Sequence, residues 1–137
     1  MLKQIVFLKK RADMSREQFM DYYETQHTQL SRRLGAKPAL PNAQRYVRRY
    51  LTPVPNPLTG EVIDPGYDCV MEIWWNSRAD FDAAMKGLAN PEMLQARLAD
   101  ERRLFASNSN PVCLVDEHDS PVGLHNTIPR LVLTPST

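Results

Sequence analysis

Cysteine, glycine and histidine are scarce in this chain, and their scarcity excludes several kinds of site. The 137 residues contain two cysteines, five glycines and three histidines. His27, His118 and His125 lack the spacing of metal ligands and no Cys-x-x-Cys pair occurs, so we expect no metal site. The few glycines form no phosphate-binding loop, and no serine stands in a nucleophile elbow. These absences fit a protein that works without a cofactor.

Charge of one sign and long apolar runs are also lacking. The formal net charge is +1, so the chain has no bulk charge to attract nucleic acid or a membrane. No apolar run approaches the roughly 20 residues that cross a bilayer. The N-terminal apolar stretch, residues 5–8, is too short for a signal peptide and has no small-residue cleavage site. We therefore expect a cytoplasmic protein of one domain, with neither nucleic acid nor membrane as a partner.

A long amphipathic helix is predicted over residues 14–35. Ser15 and Gln18 have the spacing of a capping box, and Gly35 supplies a stop signal. Spacings of four, four and three then place four residues on the face that packs against the protein, namely Phe19, Tyr23, His27 and Leu30. The helix therefore turns an ionisable imidazole inward, beside a tyrosine.

His27 has two interpretations at this stage. Imidazole titrates near neutrality, so an inward histidine can give or take a proton at cellular pH. A single inward histidine is, however, more often a hydrogen-bonded core residue than a catalyst. The helix alone leaves both roles open.

The predicted elements follow the order strand, helix, strand, strand, helix, strand. Strands are expected at residues 2–10, 43–51, 67–75 and 111–117, and later helical segments begin after Asn76-Ser77 and at Asn90-Pro91. This order is the ferredoxin-like split βαβ arrangement. It is an α+β fold, with a four-stranded antiparallel sheet and both helical segments on one face.

The opposite face of that sheet is expected to be covered too. The first, third and fourth strands are apolar on both faces, and two helices cannot cover two faces. A second copy of the sheet is the simplest cover. We therefore expect a homodimer packed through its sheet faces.

The same strand order argues against a disulfide between Cys69 and Cys113. The first strand runs between the strands that carry them, so two strand spacings of about 4.8 Å separate the cysteines. That separation exceeds the limit of roughly 7 Å between the Cα atoms of a disulfide. We expect both thiols to be reduced.

The second strand carries three arginines within five residues. Period two places Arg48 on one face together with Tyr46 and Tyr50, and places Arg45 and Arg49 on the other face. A guanidinium suits bidentate binding of a substrate carboxylate. Charges on an edge strand also block unwanted strand pairing, and both explanations stand.

The third strand offers two carboxylates and two tryptophans. Asp68 and Glu72 share a face, where a carboxylate could fix the tautomer of His27, act as an acid, or form a salt link to the second strand, which we favour. Trp74 and Trp75 alternate faces, so one should line a pocket and the other the dimer interface. Of the two, Trp75 is our candidate for the pocket wall.

These residues together resemble the EthD family of the dimeric α+β barrel superfamily. The opening motif is Phe7-Leu8-Lys9-Lys10-Arg11, then Met14-Ser15-x-Glu17-x-Phe19-x-x-Tyr22-Tyr23-x-x-x-His27. Further matches are Arg45-Tyr46-Val47, Tyr67-Asp68-x-Val70-x-Glu72-Ile73-Trp74-Trp75, Asn90-Pro91, Asp100-Glu101-x-x-Leu104-Phe105 and residues 112–118. The likeness covers residues 1–119, which we take as the EthD-like domain. Residues 120–137 form a C-terminal extension whose apolar patch, residues 131–133, could wrap the partner subunit.

The resemblance implies a dimeric barrel with a pocket between sheet and helices in each subunit. Relatives include cofactor-free isomerases of muconolactone type, polyketide cyclases and dehydratases, and cofactor-free monooxygenases. In the isomerase relatives, a histidine late in the first helix and a tyrosine on the second strand are implicated in proton shuttling. The resemblance places those roles on His27 and Tyr46.

These observations predict a cofactor-independent isomerase or lyase for a small unsaturated carboxylate, such as a lactone or dienoate from aromatic ring cleavage. His27 would act as general acid and base, and Tyr46 would hydrogen-bond the developing enolate. The substrate-binding candidates are Tyr23, Arg45, Arg48, Arg49, Asp68 and Trp75. The alternatives are a polyketide cyclase or dehydratase, a non-catalytic dimeric binding or accessory protein, and, more remotely, a haem protein.

Overall fold

A four-stranded antiparallel sheet is the framework of residues 1–123, the part of the chain that the computed structural model describes. The strands are β1 (Leu2–Leu8), β2 (Arg45–Tyr50), β3 (Cys69–Trp75) and β4 (Val112–Leu114), in the spatial order β2-β3-β1-β4. β1 pairs with β3 over its whole length, from Leu2 opposite Trp75 to Leu8 opposite Cys69. The predicted ferredoxin-like α+β fold, with the first strand between the third and fourth, is confirmed.

The helices of the described chain are α1 (Arg16–Thr25), α2 (Leu30–Arg33), α3 (Arg78–Leu88) and α4 (Pro91–Arg102). Their starts follow the local signals in the sequence. The capping box is present, with Ser15 Oγ accepting from the Gln18 backbone N–H and Gln18 Oε1 accepting from the Ser15 N–H. Ser77 caps α3, and Asn90 caps α4 ahead of proline at the first helical position. The stop at Gly35 is also as predicted, since its φ of +66° favours glycine.

The first helix is not continuous over residues 14–35, and this part of the prediction was wrong. α1 ends at Thr25, a short 3-10 turn spans His27–Gln29, and α2 follows. The hydroxyls of Thr25 and Thr28 each donate to the backbone carbonyl four residues earlier. Such bonds compete with the helical ladder and bend helices. The break therefore lies where two β-branched, back-bonding residues flank the site residue His27.

The inner face of the sheet packs on the helices and forms the core. One core cluster joins β1 and β3 to α1 and the segment after α4, and contains Val6, Leu8, Phe19, Tyr23, Cys69, Leu104 and Phe105. A second cluster joins β3 to α3 and contains Ile73, Trp75 and Ala84. Tyr46 and Met71, on the same face of the sheet, pack against both clusters.

The two cysteines are far apart in the sheet and both are free, as predicted. β1 lies between the strands that carry them. Cys69 is buried, and burial raises the pKa of its thiol to about 12. Cys113 is exposed. It lies on β4, opposite Ile5 of β1.

The outer face of the sheet mixes apolar side chains with paired charges. Its alternate positions include Ile5, Phe7, Val70 and Trp74. The guanidinium of Arg45 lies 5.0 Å from the centre of the Trp74 ring, and Arg49 lies 3.3 Å from Glu72. Two of the three arginines of β2 are thus on the face opposite the helices.

No helix within residues 1–123 is long and apolar enough to cross a membrane. The apolar patch at residues 131–133 and its suggested wrapping of a partner lie outside the described residues. The division into residues 1–119 and 120–137 stays a prediction.

Replacing Ser15 with Ala should lower the free energy of unfolding by about 1 kcal/mol, because it removes the hydroxyl that accepts from the Gln18 backbone N–H at the start of α1. Chemical denaturation followed by circular dichroism measures the change. Ser120→Ala, at an exposed position, is the matched control. Equal stability of the two variants would contradict the role of the cap.

Candidate functional site

A cavity of about 1030 Å³ lies between the inner face of the sheet and the helices. The sheet contributes apolar side chains, including Val6, Leu8, Met71 and Ile73. The opposite wall brings polar groups, chiefly His27, Arg97 and Glu101. An apolar cavity with a few convergent polar side chains is typical of a small-molecule site, and this volume lies at the large end of the usual range.

His27 enters the cavity from the break between α1 and α2. Its ring packs edge-on against Tyr23, with 5.0 Å between centroids, and against Phe105 at 5.8 Å. The side chain keeps 18% of its surface exposed. The predicted inward orientation of His27 is therefore present in the structure, between two aromatic walls.

Asp100 holds the imidazole of His27. Its Oδ2 lies 2.8 Å from His27 Nδ1, and a carboxylate there requires that Nδ1 carry the proton. Nε2 then holds the lone pair of the neutral ring. No hydrogen bond to Nε2 forms within residues 1–123. The arrangement leaves one basic nitrogen on a side chain that lines the cavity.

Asp100 is itself buried and well bound. Tyr22 donates its hydroxyl to Asp100 Oδ1 at 2.6 Å, and Arg33 lies 3.4 Å from the same atom. Burial alone would raise the pKa of Asp100. The bonds from Tyr22 and His27 and the charge of Arg33 outweigh burial, so the pKa lies below the usual 3.8. Asp100 is therefore a carboxylate at neutral pH.

Sequence reasoning did not identify Asp100 as the partner of His27, and it considered a carboxylate of the third strand for that role only as an alternative to a salt link. Asp68 lies elsewhere, where its Oδ2 accepts from the backbone N–H of Lys10 at 2.8 Å. The favoured salt link to the second strand is present for Glu72, through Arg49. No clear signal pointed to Asp100, because α4 ends at Arg102, before the buried Leu104, and the apolar and polar residues of α4 are poorly segregated.

Tyr23 and Tyr46, two of the predicted site residues, are in contact through their hydroxyl groups at the cavity. Their hydroxyl oxygens are 2.8 Å apart, and both residues line the cavity. Burial raises the pKa of both hydroxyls, so each keeps its proton at neutral pH. One proton joins the two oxygens, and the other remains available to a substrate oxygen.

The arginines of β2 are mostly occupied by protein partners. Arg48 Nε donates to Glu24 at 3.0 Å, and its guanidinium lies 4.6 Å from the centre of the Tyr46 ring. Arg49 is held by Glu72, and Arg45, which borders the cavity, places its guanidinium over Trp74. The role of Arg45, Arg48 and Arg49 in binding a substrate carboxylate stays a prediction.

Trp75 does not line the cavity, in contrast to our expectation. It is fully buried in the second core cluster, where its indole N–H donates to Gln4 Oε1 at 3.0 Å. The two tryptophans do alternate faces, with Trp74 on the outer face. The register of β3 carries Trp75 past the end of the cavity and under α3.

The depressed pKa of Asp100 makes stability depend on pH. Its folded pKa lies below that of the unfolded chain, so the carboxylate stabilises the fold above about pH 4 and the benefit is lost as pH falls through the folded pKa. Asp100→Asn should lower the free energy of unfolding by about 1–3 kcal/mol at neutral pH. On the acid side of the pH profile (the acid branch), the free energy of unfolding of the variant should also fall less steeply than that of the wild type.

Denaturant titrations at a series of pH values test this expectation. Asp119→Asn, at an exposed position, is the control and should keep the acid branch of the wild type. Parallel acid branches for Asp100→Asn and wild type would contradict the assignment.

Comparisons with known proteins agree with this architecture. Among solved structures, an EthD family protein from Bacillus halodurans superposes with a TM-score of 0.52 at 14% identity, covering 86% of this chain and all of its own. At3g17210 from Arabidopsis thaliana gives 0.52 at 11% identity, covering 89% of this chain and 100% of that chain. HapK from Hahella chejuensis gives 0.51 at 15% identity, covering 90% of this chain and 100% of that chain.

These likenesses establish the fold, since the identities are low. A search of curated proteins finds no match. The family model of the EthD domain, by contrast, matches residues 11–108, which include His27, Tyr46 and Asp100. On that match, and on a fold shared over most of its length, this chain belongs to the EthD family.

Proposed function

We propose that this protein is a cofactor-independent isomerase or lyase that moves a proton on a small unsaturated carboxylate, such as a lactone or dienoate. The observation that carries the proposal is the bond between Asp100 and His27 Nδ1. It fixes one tautomer and leaves Nε2 as a base on a side chain that borders an apolar cavity.

His27 removes a proton from a carbon that a conjugated carbonyl acidifies. The electron pair of the broken C–H bond moves into the conjugated system and forms an enolate. Asp100 stabilises the imidazolium, because its carboxylate stays charged and close to Nδ1. His27 then returns the proton to another carbon, or to a leaving group in the lyase case.

The tyrosine pair supplies the matching acid. Tyr23 and Tyr46 are joined by one hydrogen bond and keep one further proton to donate. Donated to the enolate oxygen in an apolar cavity, this bond strengthens as charge develops, which is how such donors lower a barrier. Tyr46 therefore keeps the role that sequence analysis gave it in this proposal.

The size of the cavity favours a second candidate, a cyclase or dehydratase of an aromatic polyketide. About 1030 Å³ accommodates fused rings as well as a small lactone. The same histidine would remove a proton from the methylene between two carbonyls of the polyketide chain. A phenolic polyketide belongs in the substrate panel for this reason.

Replacing His27 with Ala should reduce proton transfer by roughly 10²–10⁴-fold, the usual worth of a general base. The measurement is proton NMR in D₂O, following exchange of acidic C–H groups in unsaturated lactones, dienoates and a phenolic polyketide. His118→Ala, an exposed histidine outside the cavity, is the matched control and should match the wild type.

Two outcomes would contradict the catalytic role. Exchange that persists in a folded His27→Ala variant would remove His27 from the mechanism. A wild type that exchanges no compound, combined with a large loss of melting temperature in His27→Ala, would favour a structural histidine in a non-catalytic binding protein.

We also propose that a second copy of the chain covers the outer face of the sheet. Ile5, Phe7, Val70 and Trp74 lie on that face, and the helices of residues 1–123 pack on the opposite face. An apolar sheet face usually packs against another layer, and a second identical sheet offers the same mixture of apolar and paired charged side chains.

Val70→Lys should convert a dimer to a monomer, because it places an unpaired charge in the sheet-to-sheet contact. Sedimentation velocity over a range of concentrations measures the change. Val54→Lys, at an exposed loop position, is the control and should leave the dimer intact. A wild type that sediments as a monomer would refute the proposed dimer.

A further inference from the structure

One buried donor in the cavity wall, the Nε of Arg97, has no hydrogen-bond partner in the described chain. Arg97 lies on α4 and lines the cavity. Its Nε is buried and forms no hydrogen bond, and no ion pair of its guanidinium forms within residues 1–123. Burial also lowers the pKa of Arg97, although a guanidinium remains charged. The cavity wall thus contains a positively charged side chain with one buried donor that is not hydrogen-bonded.

Three other arginines of the described chain, in contrast, are bound by protein carboxylates. Arg48 is bound by Glu24, Arg49 by Glu72, and Arg33 by Asp100. Buried donors in native proteins are nearly always hydrogen-bonded, and an exception calls for an explanation. A ligand that brings its own acceptors to the cavity supplies one.

Arg97 is also well placed relative to the proton-transfer residues. It precedes Asp100 by three residues on α4, an axial offset of about 4.5 Å between their Cα atoms. Asp100 holds His27, so α4 carries both the group that orients the base and a free cation facing the same cavity. A small molecule in the cavity can therefore contact both His27 and Arg97.

We infer that Arg97 binds the carboxylate of the substrate, in place of the arginines of β2. The inference rests on the proposed proton-transfer function and defines its substrate as an anion. A planar guanidinium offers the two parallel N–H donors that a carboxylate accepts. Bound there, the carboxylate supplies the acceptor that the buried Nε lacks.

Glu101 restricts the charge of that substrate. It follows Arg97 by one turn of α4, lines the same cavity and lies close enough for its charge to raise the pKa of Arg97, although the two side chains form no ion pair within residues 1–123. A carboxylate at this position repels a second negative charge placed beside the first. The site therefore suits a molecule with one carboxylate.

The test is isothermal titration of the full chain with 2,4-hexadienoate and with its methyl ester. These probes share their conjugated chain and differ in charge. The wild type should bind the carboxylate roughly 10–100-fold more tightly than the ester, the range expected for charge-assisted hydrogen bonds. Arg97→Gln should lose that preference while its affinity for the ester stays the same.

Two further variants separate binding from charge and folding. Arg102→Gln removes the same charge from an exposed position on the same helix and should keep the preference. Arg97→Lys keeps the charge but not the two parallel donors, and should recover only part of the affinity. Circular dichroism confirms that each variant is folded.

The inference fails if the wild type binds the ester as tightly as the carboxylate, if it binds neither probe at millimolar concentration, or if Arg97→Gln keeps the preference. The proposed function can fail separately. His27→Ala should retain the preference for the carboxylate. If that preference depends on Arg97 but no proton exchange depends on His27, the protein binds anions without catalysing proton transfer. If the protein exchanges protons of neutral lactones but shows no preference for the carboxylate, the proposed enzymatic function stands and the role of Arg97 is wrong.

Discussion

The buried carboxylate of Asp100 is the constraint on which the site depends. It binds Tyr22 at the end of α1, His27 in the following turn and Arg33 in α2. A single side chain of α4 therefore joins all segments of the broken first helix. Because these partners leave the carboxylate charged despite its burial, the tie is electrostatic as well as geometric. Asp100 thereby links α4 to the helical segments that carry Tyr22, His27 and Arg33.

The cavity follows from that arrangement. The two apolar core clusters lie on either side, one under α1 and the segment after α4, the other under α3. Residues of both clusters, including Leu8 and Ile73, line the cavity on the inner face of the sheet. The arginines of the described chain differ in whether a protein carboxylate balances their charge. Arginines that face protein carboxylates are neutralised, whereas Arg97 faces the cavity without a partner in the described chain.

Local signals in the sequence were sufficient for most of the fold. The capping box at Ser15, the cap at Asn90 and the period-two alternation of β2 all depend on neighbouring residues, and each is found in the structure. The site was only partly predictable. Tyr46 lies on a regular strand, and the helical spacing from Tyr23 turned His27 inward even though His27 lies in the 3-10 turn after α1. Asp100 and Arg97 lie on a helix whose apolar and polar residues are poorly segregated, so that no stripe identified its inward face.

The remaining errors have a common physical origin. The break after Thr25 depends on side-chain bonds to the backbone that compete with the helix by a small margin. The pairing of Arg48 with Glu24 and of Asp68 with the Lys10 backbone depends on which charges meet after folding. Neither is encoded in a spacing along the chain.

The paired hydroxyls of Tyr23 and Tyr46 have one more consequence. Either oxygen can be the donor in the bond between them. When that bond reverses, each hydroxyl keeps its own proton, but the hydroxyl that is free to donate to a ligand is now the other one. No heavy atom moves in the change. The cavity therefore contains an acid whose position is set by the ligand, which can receive a hydrogen bond at either of two places on its surface. A site of this kind can follow negative charge as it shifts between two oxygens of the same bound molecule.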